Sequence, residues 1–197
     1  MGREFELKYA VDPAQLEALK ACFPHLHPIA METTYYDTPD GALGKLRWTL
    51  RRRMENGISV CTLKTPLPDG SRGEWEVECG SIREGIDALF AAGAPKQLLL
   101  YTADGVQEVC AAKFTRLAGL VELENGTAEL ALDRGKLLGG GRELPFMELE
   151  VELKDGDEAA AVAFAERLAA EFGLKPEPKS KFRRALDLTR QKPETER

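Results

Sequence analysis

Alternating apolar and polar positions recur in short segments along this chain, and a period of two is typical of half-buried β-strands. The first alternating segment covers residues 3–10. The dipeptides Asn56-Gly57 and Asn125-Gly126 each separate two such segments. They predict tight hairpins, because both residue types accept the positive φ angles of a two-residue turn. The chain is therefore expected to form an antiparallel sheet with a strand at its N-terminus.

Helical periodicity is limited to a few segments between the predicted strands. One helix is expected to begin after Asp12 and another after Ser81, since both residues are good N-caps. A third helix is expected from Asp157 to Gly173, with apolar residues along one face. We interpret the C-terminal segment 181–188 as a short strand. No repeat or linker divides the chain, so these elements predict one α+β domain.

Charged residues occupy alternate positions on several predicted strands and therefore share a face of each strand. These positions are Glu4, Glu6 and Lys8; Arg51 and Arg53; Lys64; Arg72, Glu74 and Glu76; and Glu148, Glu150 and Glu152. A solvated outer face would explain any single strand. Like charges placed so closely repel each other, so the whole set favours a curled sheet whose charged faces line a shared interior.

Such an interior would combine a carboxylate cluster with a cluster of guanidinium and ammonium groups. Carboxylates without histidine or cysteine suit hard divalent cations such as Mg²⁺ or Mn²⁺. Arginine and lysine suit phosphate oxygens, and arginine can bind them bidentately. A metal-bound polyphosphate is the ligand that satisfies both clusters.

Composition narrows the function classes further. The chain has 197 residues, of which 43% are hydrophobic and 30% charged, and its net charge is −6. A dedicated nucleic-acid binder usually carries a basic field, so we expect no nucleic acid as a partner. No apolar run approaches the roughly 18–20 residues of a membrane span, and the N-terminus lacks an apolar signal core. We therefore expect a cytoplasmic protein that does not engage a membrane.

Cysteine and histidine chemistry is not expected. The four cysteines lack C-x-x-C spacing, and we expect all of them to be reduced. They are Cys22, Cys61, Cys79 and Cys110. The only histidines, His25 and His27, lie beside prolines in a predicted turn, which argues against a zinc site or a serine–histidine triad.

The charged motifs carry a family resemblance. Residues 4–8, Glu-Phe-Glu-Leu-Lys, resemble the ExExK motif of the CYTH superfamily, also known as the triphosphate tunnel metalloenzymes. Further motifs resemble those of the family in the same order, at residues 35–40, 50–53, 62–64, 72–74, 129–135, 148–153 and 180–184. The resemblance is strongest to bacterial inorganic triphosphatases. It implies a CYTH domain over residues 1–190, a polar tail over 191–197, and no helical CHAD domain after it.

The resemblance implies an eight-stranded antiparallel β-barrel tunnel with peripheral helices, which hydrolyses inorganic tripolyphosphate with Mg²⁺ or Mn²⁺. It implies metal ligation by Glu4 and Glu6 with one or two of Glu148, Glu150 and Glu152. It implies triphosphate binding by Lys8, Arg51, Arg53, Lys64, Arg72, Arg116 and Lys181. Lys8 and Lys64 are also the candidates for a catalytic base, whereas alternation places Arg52 on the solvent side.

Two other classes of function remain open, one within the family and one outside enzymology. Within the family, a class IV adenylyl cyclase or a thiamine triphosphatase would act on a nucleoside or organic triphosphate, but no aromatic group is evidently dedicated to a base or a thiazolium ring. Outside enzymology, a non-catalytic polyphosphate- or nucleotide-binding module would need only the cationic side. The protein is expected to be a monomer or a homodimer.

Overall fold

One antiparallel sheet organises the molecule, as seen in a computed structural model that describes residues 2–3 (backbone only), 5–68 and 71–190. The strands are β1 (Gly2–Arg3), β2 (Glu6–Ala10), β3 (His27–Asp37), β4 (Thr49–Glu55), β5 (Ile58–Pro66), β6 (Arg72–Glu78), β7 (Gln107–Leu123), β8 (Gly126–Gly139), β9 (Arg142–Gly156) and β10 (Lys175–Pro176). The helices are α1 (Pro13–Cys22), α2 (Ala42–Lys45), α3 (Ile82–Ala91), α4 (Gln97–Tyr101), α5 (Glu158–Phe172) and α6 (Lys181–Arg190).

The strand order is β1-β6-β5-β4-β3-β7-β8-β9-β2-β10, and each neighbouring pair is antiparallel. The eight strands from β2 to β9 form the wall of the predicted tunnel, so that prediction is confirmed. Within the described residues the hydrogen-bond ladder is not a closed ring. The N-terminal segment instead contacts both sides, because β1 pairs with β6 while β2 pairs with β9.

The two predicted hairpins are present. Asn56 and Gly57 have φ angles of 48° and 91°, which join β4 to β5 with a two-residue turn. Gly126 has a φ angle of 120° at the turn between β7 and β8. These two strands are 17 and 14 residues long, so they extend beyond the segments expected from the sequence.

Two of the three hydrophobic clusters in the described residues cover the outside of the sheet, whereas the third packs α6 against cavity-facing residues such as Tyr35 and Phe114. On β8 and β9, Leu130, Leu149 and Val151 are fully buried and pack against Phe164 and Leu168 of α5. The helices α3 and α4 cover β4, β5 and β6 in the same way. Because side chains alternate along a strand, this packing turns the charged positions toward the interior. No described helix combines the length and the hydrophobicity that a membrane crossing requires.

The C-terminal segment is a helix, so the expected strand over 181–188 is wrong. Lys181, Ala185 and Leu188 are its buried residues. Their spacing of four and three positions matches the period of a helix, not that of a strand. The helix packs on β7, β8 and β9, and the ring of Phe182 contacts Tyr35 with centroids 4.9 Å apart.

Cysteine pairing also differs from the sequence-based expectation. Cys61 of β5 and Cys79 form a disulfide, whereas Cys22 and Cys110 are free. The expectation that all four cysteines are reduced is therefore wrong for one pair. Sequence separation alone could not predict this pairing, because the two sulfur atoms meet only after β5 and β6 align.

Candidate active site

The interior of the sheet encloses a cavity of about 1390 Å³. The predicted site residues on its lining are Glu6, Lys8, Arg51, Arg53, Lys64, Arg72, Arg116, Glu150, Glu152 and Lys181. Glu148 is fully buried beside these residues but is not part of the lining. Glu4 lies outside the described residues.

Carboxylates gather on the side of the cavity formed by β2, β8 and β9. Strand register places Glu6 of β2 directly opposite Glu152 of β9, and Glu152 directly opposite Glu129 of β8. Directly paired residues have Cβ atoms only about 4.5–5.5 Å apart, and like charges there destabilise a sheet. Lys8, Lys154 and Arg116 each lie near one carboxylate of this row, and a divalent cation would stabilise the row further.

A second group of carboxylates forms what we call the inner ion network, made of Asp133, Glu148, Glu150, Arg116 and Lys181. Carboxylate oxygens of the three acidic residues lie within 4.8 Å of one another. The Arg116 Nε and Nη2 atoms each donate a hydrogen bond of 2.8 Å to Asp133. The Lys181 Nζ atom lies 2.7 Å from Asp133 and 2.8 Å from Glu150, and it also contacts Glu148. The ammonium group of α6 thus occupies the centre of the triad.

Burial and charge act in opposite directions on this network. Burial raises the pKa of Glu148 to about 7, even though Lys181 favours its ionised form. Burial alone would also raise the pKa of Glu150, but Lys181 and Arg116 together hold it well below its usual range. The triad therefore requires a positive charge at neutral pH, and Lys181 supplies one.

Cations gather on the opposite side, in what we call the basic wall: Arg51, Arg53, Lys64 and Arg72. The buried Nε atoms of Arg51 and Arg53 have no hydrogen-bond partner within the described part of the chain. Burial, followed by the neighbouring Arg51 charge, lowers the pKa of Arg53. Arg52 points away from the cavity, and its Nε donates a 2.8 Å hydrogen bond to Ser59. The guanidinium groups of Arg51 and Arg53 thus each keep a donor that the described residues leave unsatisfied.

Carboxylates also lie among the cations of the basic wall. The Glu74 Oε1 atom is 3.5 Å from the Lys64 Nζ and 3.8 Å from an Arg51 nitrogen. Arg53 forms an ion pair with Glu55 of its own strand. The basic wall is therefore not purely cationic, as the alternation of Arg72, Glu74 and Glu76 along β6 had indicated.

The family model described as the CYTH domain matches residues 2–186. This chain belongs to the CYTH domain family. An inorganic triphosphatase from Haemophilus influenzae is 32% identical to this chain in an alignment over 193 residues that covers 93% of this chain. The match covers 54% of that relative, so the chain spans about half the length of the curated relative.

Solved structures share the CYTH fold. A proposed adenylate cyclase from Bacillus halodurans has a TM-score of 0.67 and 23% identity, over 91% of this chain and 96% of that one. A proposed adenylyl cyclase from Hippeastrum, described as having a dominant triphosphatase activity, has a TM-score of 0.62 and 19% identity. That match covers 96% of this chain and 98% of the other. At these identities the likeness shows the CYTH fold alone.

Sequence reasoning missed Asp133 and Glu129 as members of the site in this CYTH chain. Both lie on β8, where a spacing of four residues puts them on one face of the strand. That alternation was a usable signal. The pairing of Asp133 with Arg116 and with Glu148 was not, because it depends on the register of three strands.

Proposed function

We propose that this CYTH chain hydrolyses inorganic tripolyphosphate in its tunnel, with Mg²⁺ or Mn²⁺ as the cofactor. The observation that carries the proposal is the division of one cavity into a side with carboxylates in register and a basic wall with unpaired, buried guanidinium nitrogens. A metal-bound polyphosphate brings positive charge to the first side and phosphoryl oxygens to the second. The inorganic triphosphatase of Haemophilus influenzae, similar along nearly the whole chain, supports this choice of substrate.

The cationic residues would bind the triphosphate. Arg51 and Arg53 offer planar forks that suit phosphoryl oxygens, and their Nε atoms lack other partners among the described residues. Lys64 and Arg72 extend the same wall, and Lys8 faces the cavity from β2. Phosphoryl transfer depends mainly on positioning and on stabilising negative charge, which fixed cations in a confined site provide.

The acidic residues across the cavity from the basic wall, on β2 and β9, fit a divalent cation because their donor atoms are all carboxylate oxygens. Glu6 and Glu152 lie in register, and Glu150 is directly opposite Lys8. We propose these carboxylates as ligands, with Glu148 and Glu4 as the remaining candidates. Once bound, a divalent cation neutralises phosphoryl oxygens and acidifies a coordinated water molecule.

Proton transfer is assigned to the lysines that face the cavity. The Lys8 Nζ atom is 3.1 Å from a Glu6 oxygen, so it lies beside the proposed ligands. Lys64 lies directly opposite Glu74 in the basic wall. We propose that one of these two lysines, in its neutral amine form, accepts the proton of the attacking water, while the other remains an ammonium group that contacts a phosphoryl oxygen.

Substitution of Glu6 by Gln tests the cofactor and the activity together. We expect phosphate release from tripolyphosphate to fall by about 100-fold or more, because even outer-shell changes around a metal cost about 10- to 100-fold. Glu32→Gln is the matched control, since Glu32 is exposed and pairs with Lys113 outside the cavity. Turnover should be measured with tripolyphosphate, ATP and thiamine triphosphate, each with Mg²⁺ and with Mn²⁺.

The same panel separates the other functions. Wild-type turnover by a folded Glu6→Gln variant at saturating metal contradicts the ligand assignment. A preference of the wild-type protein for ATP with formation of cyclic AMP identifies a cyclase. A preference for thiamine triphosphate identifies an organic triphosphatase. Binding of tripolyphosphate without any turnover identifies a non-catalytic module.

A further inference from the structure

Glu74 holds an unusual place within the basic wall. Its carboxylate faces the cavity with 22% of the side chain exposed, and one oxygen, Oε1, lies near both Lys64 and Arg51. The register of β5 and β6 fixes this position, since Lys64 is directly opposite Glu74. The distances of 3.5 and 3.8 Å are longer than a good hydrogen bond, so both contacts are loose ion pairs.

A carboxylate in this position opposes the binding of any anion. A phosphoryl group that approaches Lys64 and Arg51 must replace Glu74 as their counter-ion and then lies beside a remaining negative charge. Like charges at such distances inside a protein repel strongly, because water screens them poorly there. The repulsion comes mainly from the one phosphoryl group nearest to Glu74, whichever anion is bound, whereas the attraction grows with the number of phosphoryl groups that reach other cations.

We propose that Glu74 is a specificity-determining residue that makes the basic wall bind triphosphate in preference to diphosphate and monophosphate. This inference rests on the proposed function and deepens it. A triphosphate extends over more of the wall than its products, so its additional contacts offset the repulsion from Glu74. Pyrophosphate and phosphate reach fewer cations, and the return of Glu74 to Lys64 and Arg51 favours their release.

The test compares Glu74→Gln with Glu78→Gln at one ionic strength and one free Mg²⁺ concentration. Glu78 is an exposed carboxylate of the same strand and is not part of the cavity lining, so its substitution changes the net charge equally. For Glu74→Gln we expect the inhibition constant of pyrophosphate to fall by about tenfold, since removal of a repelling charge strengthens binding. The KM for tripolyphosphate should fall less. The selectivity between the two anions should therefore decrease at least about threefold, while Glu78→Gln changes it less than about twofold.

Two outcomes contradict the inference. An unchanged or weaker inhibition by pyrophosphate shows that Glu74 does not compete with the anion. An increase in the Mg²⁺ concentration needed for half-maximal activity shows that Glu74 is a metal ligand instead. If Glu74→Gln does not fold, Glu74→Asp keeps the charge on a shorter side chain and should change the selectivity in the same direction by a smaller factor.

A binding arm distinguishes failure of this inference from failure of the proposed function. Calorimetric titration of the wild-type protein and of both variants with pyrophosphate and tripolyphosphate needs no turnover. If the wild-type protein binds both anions without hydrolysis, the proposed activity is wrong. The Glu74→Gln variant then still decides this inference through the ratio of the two dissociation constants.

Discussion

Arg52 and Arg53 are adjacent in sequence but lie on opposite faces of β4, so substitution of each by Ala compares the two faces directly. Arg53 lines the cavity with a buried Nε that has no partner in the described residues, whereas Arg52 donates its Nε to Ser59 on the other face. Both substitutions by Ala remove one positive charge from the same strand. Only Arg53→Ala removes a guanidinium group from the cavity in which we propose that the triphosphate binds.

The magnitude follows from the kind of contact that is lost. A hydrogen bond to a charged group contributes about 1.5–3 kcal/mol. If Arg53 makes one such contact in the transition state, its loss reduces kcat/KM by about tenfold to 150-fold, at about 1.36 kcal/mol per factor of ten. For Arg52→Ala we expect a change in kcat/KM of less than about twofold, with any effect limited to stability.

The assay is kcat/KM for tripolyphosphate at fixed metal concentration and ionic strength. Arg53→Ala also leaves Glu55 without its arginine partner, so urea unfolding should accompany the kinetics. Arg53→Lys keeps the charge without the planar fork and should give an intermediate loss. If Arg52→Ala lowers kcat/KM more than Arg53→Ala in folded protein, the assignment of residues to the inner face of β4 is wrong by one position. The assignment of Arg51 and Arg53 to the basic wall is then wrong as well.

Two further predictions concern the fold. Leu63→Ala should lower the free energy of unfolding by about 2–5 kcal/mol, because Leu63 is fully buried beneath α3. The control Leu100→Ala, at a position that is 65% exposed, should change this free energy by less than about 0.5 kcal/mol. Equal effects of the two substitutions in denaturant titrations would contradict this packing. In air-oxidised native protein, an alkylating reagent should modify exposed Cys22 but not Cys110, since burial raises the pKa of the Cys110 thiol to about 12. Mass spectrometry should then find two modified cysteines in denatured protein and four in protein that was denatured and reduced. Four modified cysteines in denatured protein without reduction would rule out the disulfide.

Local patterns were sufficient to predict the wall of the tunnel. Alternation along β4 separated Arg51 and Arg53 from Arg52, and the structure shows the same separation. The Asn56-Gly57 turn fixed one hairpin, because its positive φ angles are a local property. Such features depend only on residues that are close in sequence.

Features that depend on long-range register could not be predicted in this way. The row that contains Glu129 requires the alignment of three strands that are distant in sequence from one another. The helix at the C-terminus was misread because Lys181, a charged residue, is one of its buried positions. A polarity pattern assigns such a lysine to solvent, and only the carboxylates around it explain why it is inside.

The double pairing of the N-terminal segment has a consequence for the order of folding. β1 pairs with β6, which lies in the first half of this sequence, whereas the neighbouring β2 pairs with β9, which lies in the second half. Contacts between such distant residues form slowly, because long loops must close before any contact is gained. Until β1 and β2 have paired with their partners, β6 and β9 each have an edge with unpaired backbone groups. Such edges promote aggregation. The segment that carries β1 and β2 thus completes the sheet last, and substitutions that weaken either pairing act at the step where the protein is most prone to aggregate.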